Sequence, residues 1–186
     1  MENRPEKDTE DVAQYEILSK LQAAQRQLRV AIRLFFEHRD LVAVHTLGAA
    51  AQDILRDLAR PRGIKSIFKD NENIRPEYRE RLGSIFREAQ NFFKHADRDP
   101  DAQLKFYFGA TQFYLLDAAL LYVMLTGRQF PEVTGLLGWS LVKFPDIVVK
   151  GSELERQYRG LLRPGINPDN FEAILAAIDM LPVDGP

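Results

Sequence analysis

DPDAQLKFYFGATQFYLLDAALLYVMLTG, Asp99 to Gly127, is the stretch whose reading decides the fold. An Asp followed by Pro100 is how a helix commonly opens: the carboxylate accepts the free N–H groups of the first turn, and proline's fixed φ suits a position whose N–H is unused. Gly127 ends the run, because glycine readily takes the left-handed conformation that follows a helix terminus. The pattern predicts one helix from about residue 100 to Thr126. It is apolar nearly all round, so it has to be covered on most sides, and we place it at the core of a bundle. Its most apolar part, Leu115 to Leu125, is 11 residues and contains Asp117, whereas a bilayer-spanning helix needs about 20. A buried core helix is the reading, and no membrane partner is expected.

Working outward, Ile17, Leu21, Ala24, Leu28, Ala31 and Phe35 alternate steps of three and four and predict a first helix over about Asp11–Glu37. His38-Arg39-Asp40 reads as a hinge, with Asp40 capping a second helix that runs to about Ala59. That helix carries Ala43, Gly48, Ala49, Ala50 and Ala51, small residues that let a neighbour approach closely. Arg60-Pro61-Arg62-Gly63 breaks the chain, and Arg75-Pro76-Glu77 opens a third helix to about Ala96. Shorter helices are expected over Pro131–Phe144, Ser152–Leu162 and Pro168–Leu181, the first containing Trp139 among Leu136, Leu137 and Leu141 as an anchor. The expected fold class is all-α: a disordered tail over 1–10, an antiparallel four-helix bundle over 11–126, and a C-terminal helical extension over 127–186 packed on it, one domain overall.

Composition narrows the function classes. With 25 Lys+Arg against 27 Asp+Glu the formal net charge is −2, which excludes the global electrostatic footprint of a dedicated nucleic-acid binder but not a local basic patch. The absence of cysteine excludes disulfides, thiol catalysis and cysteine-ligated zinc. The start MENRPEKDTEDVAQ has no apolar run after a basic beginning, so no secretory signal is read and a cytoplasmic location is expected. His38, His45 and His95 lack helical metal-ligand spacing. Asp97, Asp99 and Asp101 resemble the opening of a calcium loop, but Ala102 and Phe108 stand where glycine and an acidic residue are required. No phosphate loop or dinucleotide glycine motif occurs, and no metal or cofactor is expected.

One stretch has the chemistry of a site: Glu88-Ala89-Gln90-Asn91-Phe92-Phe93-Lys94-His95-Ala96-Asp97. At about 100° per residue, Glu88, Asn91 and His95 share a helix face, flanked by Arg87 and Lys94. An imidazole beside an amide and a carboxylate suits a general acid/base, since the neighbours fix its tautomer. The bland alternative is a histidine favoured by the helix C-terminus, with Asn91 and His95 satisfying buried groups. Residues 60–98 hold ten Lys/Arg against six Asp/Glu, so Arg79 and its neighbours could hold phosphates, or form a solvated face with helix ion pairs. Phe106, Phe108, Phe113, Tyr114 and Tyr122 read as helical core rather than a base-stacking platform, with one of Phe106 and Phe108 free to meet a second subunit.

The run Asn91-Phe92-Phe93-Lys94-His95 resembles the HEPN superfamily of helical-bundle proteins, many of them metal-independent ribonucleases, whose motif joins an arginine, a polar residue and a closing histidine. The resemblance implies RNA as a partner, a homodimer that brings two polar faces together, His95 as acid/base or phosphate contact, Asn91 orienting it, and Glu88, Arg79 and Asp97 assisting binding. Where the motif has arginine this chain has Gln90, which cannot supply the charge. Arg87 or Lys94 would have to replace it, or the protein binds without cleaving. A second match, Arg39-Asp40-Leu41-Val42-Ala43-Val44-His45, has arginine, polar residue and histidine at a permitted spacing, but Asp40 is explained as a cap and His45 as a core histidine. Two other classes stay open: a non-enzymatic module that neutralises or assists a protein partner, and a small-molecule enzyme with a pocket between helices.

Overall fold

The computed structural model describes residues 15–70, 83–84, 87–97, 99–145, 156 and 167–182. Among these the chain is all-α, with helices and no strand. We label the helices α1 (Lys20–Phe36), α2 (Leu41–Ala59), α3 (Gly109–Thr126), α4 (Pro131–Lys143) and α5 (Phe171–Asp179). A helical stretch at 83–84 and 87–92 is the described part of the third predicted helix. The tail expected over 1–10 and the helix over 152–162 lie outside the described residues, apart from the helical Arg156.

α1 starts later than the apolar spacing predicts. Ser19 Oγ accepts the Gln22 N–H while Gln22 Oε1 accepts the Ser19 N–H, a reciprocal cap that fixes the first turn there. Ile17 therefore stays outside the helix and is 87% exposed. At the other end His38 sits in the left-handed region at φ 51°, its N–H bonded to Phe35 O and the Arg39 N–H to Leu34 O. These two bonds satisfy the last carbonyls of α1. Asp40 then accepts from the N–H groups of Val42 and Ala43 and starts α2 as its position implies. So short a link, 37–40, makes α1 and α2 an antiparallel hairpin.

α2 sits between α1 and α3 and forms its two largest interfaces with them. Its small residues explain this: a Cβ on Gly48 would meet Leu115 Cδ2 at 2.8 Å, so α3 approaches as closely as a bare backbone permits. α3 has length and composition enough to cross a bilayer, yet one side of it is closed by α2, and it also meets α1 and α4. Central place thus belongs to the alanine-rich helix, with the most apolar helix beside it.

α3 begins at Gly109, nine residues after the expected start. Asp99-Pro100-Asp101 makes only a turn, closed by the Ala102 N–H on Asp99 O, and 102–107 is non-helical. Leu104 and Phe106 are half-buried while Lys105 and Tyr107 are exposed, the period of two proper to extended chain. Phe106 anchors the stretch, its ring 5.1 Å from Phe93 and 5.3 Å from His45. The third helix ends at 92 rather than 96, because Lys94 and His95 both direct their N–H groups to Asn91 O.

The C-terminal elements dock on α1 through aromatic rings. Trp139 makes edge contacts with Phe35, Phe36 and Phe171, and its indole N–H reaches Pro168 O at 2.9 Å, so the anchoring expected of it is observed. His38 stacks on Phe171 at 4.4 Å. The buried Glu132 accepts from Arg33 Nη1 at 3.1 Å, and Arg33 also pairs with Asp179 at 2.7 Å. α4 and α5 meet where Gly135 leaves room for Ile178.

A Cβ at Gly135 would lie 2.3 Å from Ile178 Cγ1, whereas one at Gly138 would meet nothing within 4 Å. Gly135→Ala should therefore lose about 1–3 kcal/mol in urea unfolding. Gly138→Ala should be neutral or gain up to about 1 kcal/mol from helix propensity. Equal effects of the two substitutions would contradict the packing described.

Candidate functional site

The helical stretch 87–92 presents two unlike sides. Ala89 and Gln90 are buried; Arg87, Glu88 and Asn91 are exposed, and so are Lys94, His95 and Asp97 just beyond it. The His95 side chain is 46% exposed, with Nδ1 3.9 Å from Asp97 Oδ1. Its own N–H bonds to Asn91 O at 3.0 Å, so the His95 main chain stays folded back on Asn91 although the helix has already ended. The Arg87 guanidinium turns the other way: Nη1 lies 3.3 Å from where a Cβ on Gly83 would stand, one turn back along the chain. Arg79 lies outside the described residues.

Gln90, which stands just before Asn91, faces inward and donates through Nε2 to Asp53 of α2. Lys69 Nζ donates to the other Asp53 oxygen at 2.8 Å and lies 5.0 Å above the Tyr114 ring. The Asp53 carboxylate is thus already shared by a cation and an amide, and position 90 is turned away from the surface that carries His95.

The second motif is divided between surface and core. Arg39 is exposed in the hinge, with Nε 3.5 Å from Glu37 Oε2, and Asp40 is occupied as a cap. His45 is completely buried. Its Nδ1 shares a hydrogen bond of 3.1 Å with Thr111 Oγ1, and Phe93, Phe106 and Tyr114 stand nearly perpendicular to its ring. Nε2 has no hydrogen-bond partner. Burial, with a smaller push from the Lys69 charge, lowers the imidazole to about 4 and keeps it neutral. His45 is a core histidine, as the sequence reading took it to be.

Below it lies a second buried polar group. Asp117, in the middle of α3, accepts from Gln52 Nε2 and Ser66 Oγ, each at 2.7 Å, and from the Ile67 N–H at 2.8 Å. Burial raises its carboxyl above the ordinary range even though these donors pull the other way. The turn 63–70 is folded to deliver them: Gly63 takes φ 71°, the Ser66 hydroxyl accepts the Lys69 N–H, and Asp70 pairs with Arg56 through Nε at 2.7 Å. Sequence reasoning treated Asp117 only as an argument against a membrane helix, took Lys69 only as one of the basic residues of 60–98, and did not reach Asp53. A lone carboxylate in an apolar helix does demand buried donors, and Gln52 in an alanine-rich helix was the available hint.

Among the described residues no three His, Asp or Glu side chains converge as a metal site. No protein-family model matches the chain, and neither the curated proteins nor the solved structures include a match. Within 87–97, Gln90 is occupied with Asp53, while Arg87, Glu88, Asn91, Lys94, His95 and Asp97 are exposed to a ligand.

Asp117→Ala would orphan three donors, and a loss of roughly 3 kcal/mol or more is expected in urea unfolding. Asp117→Asn should cost much less: it buries no charge, and Gln52 Oε1, which has no partner, can turn to accept from the new amide. Equal losses would show that the donors are not held as described.

Proposed function

We propose that this protein binds RNA through the surface formed by Asn91, Lys94 and His95, in the manner of an HEPN-like protein that does not cleave. The observation that carries this reading is the division at 87–97, where the imidazole, amide and ammonium face solvent while Gln90 is buried against Asp53. An exposed imidazole and ammonium can contact phosphate oxygens. Cleavage would also need a fixed cation against the transferring phosphate. Gln90 supplies none, and the Arg87 guanidinium lies back over Gly83. Lys94 and His95 then serve as positioning contacts for a backbone phosphate.

A second reading rests on Tyr107 and Phe108, 52% and 65% exposed. Phe108 lies 5.5 Å from Phe106, which packs on Phe93, so both aromatic side chains belong to the same end of the molecule. Exposed aromatics among mixed charges also suit a protein interface, and a non-enzymatic partner of another protein would use them.

Fluorescence anisotropy with labelled single-stranded and duplex RNAs at 50–200 mM salt, a range over which phosphate contacts lose affinity steeply, separates the readings. Binding is expected, weakened about tenfold in Lys94→Ala/His95→Ala, with the salt slope reduced by about 1 for the lost phosphate contact. No product should appear. Failure of every RNA to bind, or unchanged binding by the double variant, would overturn the proposal in favour of the interface reading. Cleavage abolished by His95→Ala would overturn its non-cleaving part.

A further inference from the structure

We infer that the buried His45 ring is an acid-released latch that holds the two segments 87–97 and 102–108 onto α2 and α3. The ring touches Phe93 of one segment and Phe106 of the other, and is tied to α3 by Thr111 and Tyr114. Those two phenylalanines also contact each other, so His45, Phe93 and Phe106 form one closed aromatic junction. Neither the aromatic cluster around Trp139 nor the Asp117 network includes the His45 ring.

The latch works only while the imidazole is neutral. A neutral ring needs one donor and one acceptor partner at most, and Thr111 satisfies Nδ1. A protonated ring must donate from both nitrogens, and Nε2, sealed among aromatic side chains, has no acceptor. The charged groups around it offer none. Lys69, from the turn 63–70, repels an imidazolium. From α2, Asp53 is taken by Lys69 and Gln90. From α3, Asp117 is taken by Gln52, Ser66 and Ile67, while Tyr114 packs against the ring. Arg87 and Glu88 on the first segment and Lys105 on the second are exposed. Protonation therefore requires the ring to reach water, and Phe93 and Phe106 must move for it to do so.

The sign follows from the two forms. Closed, the ring protonates only near 4; opened, it regains its ordinary 6.5. Between these values the open form binds the proton preferentially, so falling pH favours opening. From pH 7 to pH 5 the opening equilibrium shifts by about twentyfold on those two values. The Gln90–Asp53 hydrogen bond and the burial of Ala89 still restrain the helical part of segment 87–97.

Amide hydrogen exchange, scaled to intrinsic rates, tests this at pH 7 and pH 5 without any RNA present, so its outcome is independent of the proposed binding function. Exchange at 87–97 and 102–108 should rise by about twentyfold on acidification, with α1 protected throughout, and the rise should vanish in His45→Phe. In the unsubstituted protein, the His45 ring resonance should titrate with the same midpoint as the opening. The latch is refuted by a ring that protonates while both segments stay protected, or by an equal acid response in a folded His45→Phe.

Discussion

The rest of the architecture depends on how closely α2 and α3 approach. At Gly48 no side chain separates the α2 backbone from Leu115, and two helices that near leave no space for water between them. Polar groups along the seam can then find partners only in the protein itself. His45 finds Thr111 across the gap, and Gln52 finds Asp117. Asp117, needing more than one donor, draws in Ser66 and the Ile67 N–H. The turn after α2 is therefore shaped by a carboxylate that lies about fifty residues away in the chain. Burying that carboxylate is unfavourable by itself, so the seam's apolar contacts and the turn's donors stand or fall together.

The same seam sorts the functional residues. α2 presents Asp53 to the stretch 87–92 and rotates Gln90 inward, and this orientation leaves Asn91 outward. A residue type can be right for a chemistry and still be disposed by its neighbours to do something else. His45 shows this best: the spacing from Arg39 satisfies a catalytic pattern, but helix 2 carries it to the interior while Arg39 stays at a capped hinge.

Much of the fold was legible because it rests on local rules. Asp40, Gly127 and the three- and four-residue steps of α1 give boundaries that no tertiary contact overturns. The failures come from competing partners, one set distant and one local. Asp99-Pro100 has the form of a helix start, yet Phe106 is claimed by His45 and Phe93, and the chain between stays extended. Ile17 continues the apolar face of α1, but the Ser19–Gln22 cap closes the helix before reaching it. At the candidate site, helical spacing put Glu88, Asn91 and His95 on one face with Arg87 and Lys94 beside it, but spacing does not say whether a face meets solvent or core. The pairing of Gln90 with Asp53 was not legible, since residues 37 apart in the chain with no shared pattern reveal nothing of their contact.

Trp139 is the chain's one tryptophan, and it is lodged where α1, α4 and α5 converge, its indole nitrogen committed to the Pro168 carbonyl. That places the molecule's dominant ultraviolet fluorophore in the C-terminal aromatic cluster, among Phe35, Phe36 and Phe171. Emission from this protein is consequently a local gauge of whether the helix Phe171–Asp179 is seated against α1 and α4.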